Sequence, residues 1–270
     1  MKYKLIALDI DGTIFDSGRV VSKANLEAIR EARAAGVTVT LATGRGYLGS
    51  RPVVEELNVT GPMANYGGAI ISDAETGAVL AKEDIDWKLA KTLMEYALER
   101  DIYCHIYQGD TIVYPKESEI ADMYGRILRV PQRVEPNMLD MEWTGIPKVL
   151  FIVAPERVSE VLADCTKRFG NLVQIAMSGE TFIEFNKKDV HKASGVAWIA
   201  KKLKITRSEV ITMGDNTLDL EMIQWAGLGV AVSNACDILK KTADVIAPAC
   251  GEDAVKWVID RFIFGRNNWR

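Results

Sequence analysis

A chain of 270 residues, 48% hydrophobic and 26% charged, is long enough to bury a large core and too apolar to stay disordered. Its formal net charge of −4 leaves no basic surplus for a phosphate backbone, so nucleic acid is excluded as the expected partner. No apolar run reaches the roughly 20 residues of a spanning helix, and the opening MKYKLIALDID meets an acid too early for a signal peptide; the expectation is a cytoplasmic protein with no membrane partner.

From the first residues onward, aliphatic runs alternate with helical patterns: a strand over 4–9, a helix over 23–35, a strand over 37–41 and a helix over 47–58. Ser22 is placed to cap the first helix and Gly36 to end it, and so short a strand-helix-strand return implies parallel pairing. Between about 84 and 187 the order changes. A hairpin is predicted from 102–107 and 111–114 around Gln108-Gly109-Asp110, and another strand pair from 172–176 and 181–186 around Ser178-Gly179-Glu180.

The first rhythm then resumes, with helices over 190–203, 218–226, 236–242 and 252–262 and strands over 210–213, 228–232 and 244–247. The predicted fold class is α/β, a doubly wound parallel Rossmann-like core from 1–83 and 188–270, with an inserted α+β cap domain over 84–187. Four cysteines, Cys104, Cys165, Cys236 and Cys250, lie far apart without a C-x-x-C pair and read as reduced and mostly buried.

The chemistry concentrates where strands end. In LDIDGT, Asp9 and Asp11 stand at i and i+2 of an extended segment, so both carboxylates face one side at the carboxyl edge of a parallel strand. Two acids there repel each other, and a divalent cation such as Mg²⁺ relieves that repulsion. As an isolated string, Asp11-Gly12 reads nearly as well as a solvated turn.

Three further clusters fall at equivalent places. In VTLATGRG, Thr43 and the amide of Gly44 can donate to a phosphate oxygen, with Arg45 beside them as a further substrate contact. In KKDVHKASGV, Asp189 is the expected N-cap, which puts Lys192 in a first helical turn where the dipole disfavours a cation. In VITMGDNTLDL, Asp215 ends a strand and Asp219 follows four residues later. Each cluster alone has an ordinary structural reading. Together, acids for a nucleophile and a metal, a hydroxyl and a lysine form a phosphoryl-transfer constellation.

At these residues the sequence resembles the haloacid dehalogenase-like (HAD) superfamily, and within it the Cof-type branch, subclass IIB. Its motifs correspond to Asp9-Ile10-Asp11-Gly12-Thr13, Thr43-Gly44-Arg45, Lys192 and Gly214-Asp215-Asn216-Thr217-Leu218-Asp219. Asn65-Tyr66-Gly67-Gly68-Ala69 and Val232-Ser233-Asn234-Ala235 are further echoes. The resemblance implies that Asp9 is a nucleophile forming an aspartyl-phosphate and that Asp11 is the general acid and base. It also implies Mg²⁺ held by Asp9, the main-chain carbonyl of Asp11 and Asp215, with Asp219 orienting the shell. The implied substrate is a small phosphorylated metabolite, such as a sugar phosphate, held by Thr43 and Lys192. One departure is Leu218, where many Cof-type members carry an Asn that contacts phosphate.

Other readings are a catalytically weak or phosphomutase-like relative and a receiver-like phospho-acceptor module. A receiver needs no second acid at Asp11 and no insert of about a hundred residues.

Overall fold

The computed structural model describes residues 2–15, 18 and 20–266. The chain opens with β1 (Leu5–Leu8), α1 (Lys23–Ala34), β2 (Thr38–Leu41) and α2 (Tyr47–Leu57). β1 pairs in parallel with β2, Leu5 opposite Thr38, and its four side chains are all buried. A strand buried on both faces is what an unbroken Leu-Ile-Ala-Leu run encodes. Ser22 caps α1 as expected, its hydroxyl accepting the Asn25 amide at 3.0 Å.

Next come β3 (Pro62–Asn65), β4 (Ile70–Asp73) and β5 (Val79–Lys82), a three-stranded antiparallel sheet that the sequence reading did not foresee. A bridge between Ala42 and Ala64 ties its first strand to the end of β2. The segment that follows contributes α3 (Trp87–Leu98), β6 (Tyr103–Gln108), β7 (Thr111–Tyr114), α4 (Glu119–Leu128), β8 (Gln132–Val134), β9 (Val149–Ile152), α5 (Val158–Phe169), β10 (Val173–Met177) and β11 (Phe182–Lys187). Its six strands form one sheet in the order β10-β11-β9-β6-β7-β8. Both expected strand pairs are present: β6 and β7 join through Gly109-Asp110, and β10 pairs antiparallel with β11. Glu83 and Lys187 meet in an ion pair at 2.5 Å, so the chain leaves and re-enters at neighbouring points.

The last third supplies α6 (Lys192–Lys202), β12 (Val210–Gly214), α7 (Leu220–Trp225), β13 (Leu228–Val232), α8 (Asp237–Thr242), β14 (Val245–Ala247) and α9 (Ala254–Val258). Its strands complete a five-stranded parallel sheet in the order β14-β13-β12-β1-β2. The fold is therefore α/β, a parallel sheet beside a second, largely antiparallel one. β1 sits between β12 and β2, so residues 9–12, 43–46 and 214–216 all emerge along one edge.

Two local expectations are corrected. The N-cap of α6 is His191, not Asp189: His191 Nδ1 accepts the Ser194 amide at 3.2 Å, while Asp189 occupies a left-handed turn at φ 64°. The helix expected over 252–262 starts only at Ala254, because Asp253 takes φ 58° just before it, and α9 then runs directly into a wider π turn at Ile259–Ile263. The four cysteines form no disulfide. No helix among the described residues is long and apolar enough to cross a membrane.

Candidate active site

β1 delivers Asp9 to the sheet edge, where the carboxylate is 6% exposed. Beyond it the chain must turn sharply, and Gly12 does so at φ 80°. A Cβ at Gly12 would lie 2.4 Å from Asp215 Oδ2, so only glycine lets this loop pass the carboxylate. Thr13 Oγ1 donates to Asp215 at 3.3 Å, and Asn234 Nδ2 holds the Gly12 carbonyl at 2.8 Å.

Carboxylate oxygens of Asp9, Asp215 and Asp219 lie within 4.8 Å of one another. Lys192, 1% exposed, places its ammonium 2.5 Å from both Asp9 Oδ1 and Asp219 Oδ1. The other oxygen of Asp219 accepts the amides of Asp215 and Asn216, each at 3.0 Å. Asp219 is thus committed to Lys192 and to its own loop.

Burial, and then the neighbouring acids against the counter-pull of Lys192, holds the Asp9 carboxyl well above the usual range. The same causes, burial first and Asp219 next, push Asp215 up to about 6. Burial opposes the charge on Lys192, yet Asp219 and Asp9 outweigh it and hold the ammonium above the ordinary lysine value. An all-oxygen donor set with surplus negative charge fits a hard divalent cation.

At the end of β2, Thr43 is buried; its hydroxyl oxygen accepts the Arg45 amide at 3.1 Å, leaving the hydroxyl proton free to point into the site. Arg45 grips Asp11 with two nitrogens, Nε at 2.7 Å from Oδ2 and Nη2 on Oδ1, and donates to the Gly49 carbonyl at 2.9 Å. The Asn65 echo acts behind this loop: its side chain donates to the Arg45 carbonyl at 3.2 Å.

All eight sequence-predicted residues, Asp9, Asp11, Thr43, Gly44, Arg45, Lys192, Asp215 and Asp219, line one cavity of about 280 Å³. The Asp11 side chain, in contrast to Asp9, is not part of the acid cluster and is half exposed on Arg45. Leu218 lines the same cavity.

Of the polar and aromatic residues between 84 and 187, His105, Tyr107, Arg126 and Trp143 do not line the cavity; Tyr124, Phe182, Lys148 and Glu184 do. Lys148 and Glu184 were missed, although an acid inside Phe182-Ile183-Glu184-Phe185 and a lysine opening Val149-Leu150-Phe151 were signals: charge set into apolar strands requires a partner.

Such a site, at the carboxyl edge of a parallel sheet and covered by a second sheet, defines a phosphoryl-transfer enzyme of the α/β class. The chain belongs to the haloacid dehalogenase-like hydrolase family, which it matches over residues 6–259. It is 29% identical to the putative phosphatase YxeH of Bacillus subtilis, over 98% of this chain and all of that one. It is 32% identical to the 5-amino-6-(5-phospho-D-ribitylamino)uracil phosphatase YcsE of the same organism, over 96% of each. A solved haloacid dehalogenase-like hydrolase from Bacteroides thetaiotaomicron superposes with a TM-score of 0.83 at 28% identity, over 96% of this chain and 99% of that one.

Proposed function

We propose that this protein is a Mg²⁺-dependent phosphatase of small phosphate monoesters, sugar phosphates or related metabolites, working through an aspartyl-phosphate on Asp9. The observation that carries the reading is the meeting of Asp9, Asp215 and Asp219 within 4.8 Å, beside Lys192 and in one cavity with Thr43. Asp9, Asp215 and the main-chain carbonyl of Asp11 would hold the cation, with Asp219 fixing their loop. Bound there, Mg²⁺ supplies positive charge that screens an anionic nucleophile from an anionic substrate.

The chain's own groups do the rest. Thr43 and Lys192 bind the non-bridging phosphate oxygens, and the Gly44 amide adds a donor. An Asp9 oxygen attacks phosphorus, the bond to the ester oxygen breaks, and Asp11 gives that oxygen a proton. Water then attacks phosphorus, Asp11 takes its proton, and the carboxylate of Asp9 is released with inorganic phosphate. Asp11 must let go of Arg45 to reach the ester, which makes Arg45 its holder in the resting site.

The test is phosphate release from a panel of sugar, nucleotide and cofactor phosphates, with and without Mg²⁺. Wild-type protein hydrolyses at least one class with Mg²⁺, and Asp9→Asn loses at least about 1,000-fold in kcat. Retained activity in a clean Asp9→Asn preparation would overturn the nucleophile.

A further inference from the structure

Lys148 and Glu184 are 1% and 2% exposed, the deepest charged pair contributed by the second sheet. Lys148 Nζ lies 2.9 Å from Glu184 Oε1 and donates to the Gly44 carbonyl at 2.8 Å. The other carboxylate oxygen, Glu184 Oε2, is buried and has no hydrogen-bond partner among the described residues. A buried ion pair is weak support for stability, and a buried carboxylate oxygen without a donor is a standing cost. Tertiary packing alone gives no reason to keep it.

Its place supplies one. Glu184 lines the cavity that holds Asp9 and Thr43, and Oε2 stands 3.6 Å from where a Cβ on Gly44 would sit. The unpartnered acceptor, itself buried, therefore lies against the phosphate loop, next to the space a leaving group would enter. Leu218 Cδ2 lies 3.1 Å from the same Gly44 position, and Phe182 lines the cavity with it. Leu218 and Phe182 set carbon in the wall with this acceptor, and Tyr124, Ser178 and Asn216 line the cavity as well. A cationic donor would meet the Lys148 ammonium already seated on this carboxylate, and a second anion would meet Glu184; a neutral hydroxyl meets neither repulsion.

We propose that the Lys148–Glu184 pair determines specificity: Glu184 Oε2 accepts a hydrogen bond from a neutral hydroxyl on the leaving group, close to the ester oxygen, while Leu218 and Phe182 cover its carbon face. Lys148 positions the carboxylate and ties it to Gly44. This rests on the phosphatase reading, which places the ester at Asp9 and Thr43.

The experiment compares kcat/KM for two esters that differ only in hydroxyls, glycerol 1-phosphate and propyl phosphate, with 4-nitrophenyl phosphate as a donor-free reference. Wild-type protein is expected to prefer the hydroxylated ester by about tenfold or more, the range for a hydrogen bond to a charged group. In Glu184→Gln that ratio falls severalfold, because the hydroxyl exchanges a charge-assisted hydrogen bond for one with a neutral amide. A merely structural role lowers both rates together and leaves the ratio alone.

Should Glu184→Gln fail to fold, the pair Lys148→Met with Glu184→Leu removes both charges at similar volume and must abolish the preference. An unchanged ratio in either folded variant, or a wild-type ratio near one, overturns the proposal while the phosphatase reading stands. No hydrolysis of any of the three esters by wild-type protein overturns this proposal, and the phosphatase reading falls with it only if the wider panel of sugar, nucleotide and cofactor phosphates is inert as well.

Discussion

Gly12 carries the sharpest steric demand in the site, since it turns at φ 80° with Asp215 Oδ2 only 2.4 Å from the position of a Cβ. Gly12→Ala is expected to cost about 1–2 kcal/mol for the backbone alone. The displaced carboxylate should in addition weaken Mg²⁺ binding at least severalfold. Denaturant unfolding gives the first quantity and a calorimetric Mg²⁺ titration the second; wild-type affinity in the variant would show that the loop has room to spare. Lys192 makes the complementary point about charge. Its placement in a first helical turn, unfavourable on the dipole argument, is resolved by Asp9 and Asp219, each 2.5 Å away.

Among the elements, α2 starts without a side-chain cap of its own, because its N-cap residue is Gly46. The cap comes from a distant hairpin: the Asp110 carboxylate, at the tip joining β6 and β7, faces the amides of Tyr47 and Leu48 and accepts Tyr66 Oη at 3.0 Å. A Cβ on Gly46 would fall 2.1 Å from that same tyrosine oxygen, so the bare backbone is what admits the hairpin. Asp110→Ala should destabilise the protein by about 0.5–2 kcal/mol, the usual worth of an N-cap. A urea midpoint equal to wild type would show that water caps α2 as well as Asp110 does.

Strands and helices whose patterns are local were legible in the sequence: the buried Leu-Ile-Ala-Leu of β1, Ser22 before α1, the Gly109-Asp110 hairpin. β3, β4 and β5 were not, since their side chains alternate weakly and β5 is mostly exposed. His191 was passed over as a cap because a ring nitrogen rarely fills that role and Asp189 stood nearby. For the site, the residues at strand ends and helix starts were readable only when the four clusters were taken together and set beside the family motifs they resemble. Lys148 and Glu184 were only half readable: a charge set into an apolar strand announces that it needs a partner, but not that β9 and β11 lie side by side and bring these two together.

At the scale of the molecule, the acid cluster links folding to pH. Folding raises the Asp9 and Asp215 carboxyls above their unfolded values, so the native state takes up protons. Their favourable contribution is complete below the unfolded value near 4 and is lost as pH rises through the folded value, about 6 for Asp215. A cation that replaces those protons should accordingly stabilise most where they are gone. Saturating Mg²⁺ is expected to raise the thermal midpoint by several degrees at about pH 7.5 and by clearly less at about pH 5. Equal shifts at both values in a melting series would remove the cluster as the binding site.

Lys148 to the Gly44 carbonyl, Asn186 to the Tyr66 carbonyl, Gln174 to Glu221 and Thr217 to the Met177 carbonyl all tie the segment of the second sheet to the rest of the chain. None of these bonds uses Asp9 or Asp215. The meeting of Glu83 with Lys187 has a bearing on how such a protein can diverge. A chain that returns to the place it left can have everything between lengthened, shortened or exchanged without shifting the acids at the sheet edge. What the enzyme accepts can drift across generations while the bond it breaks stays the same.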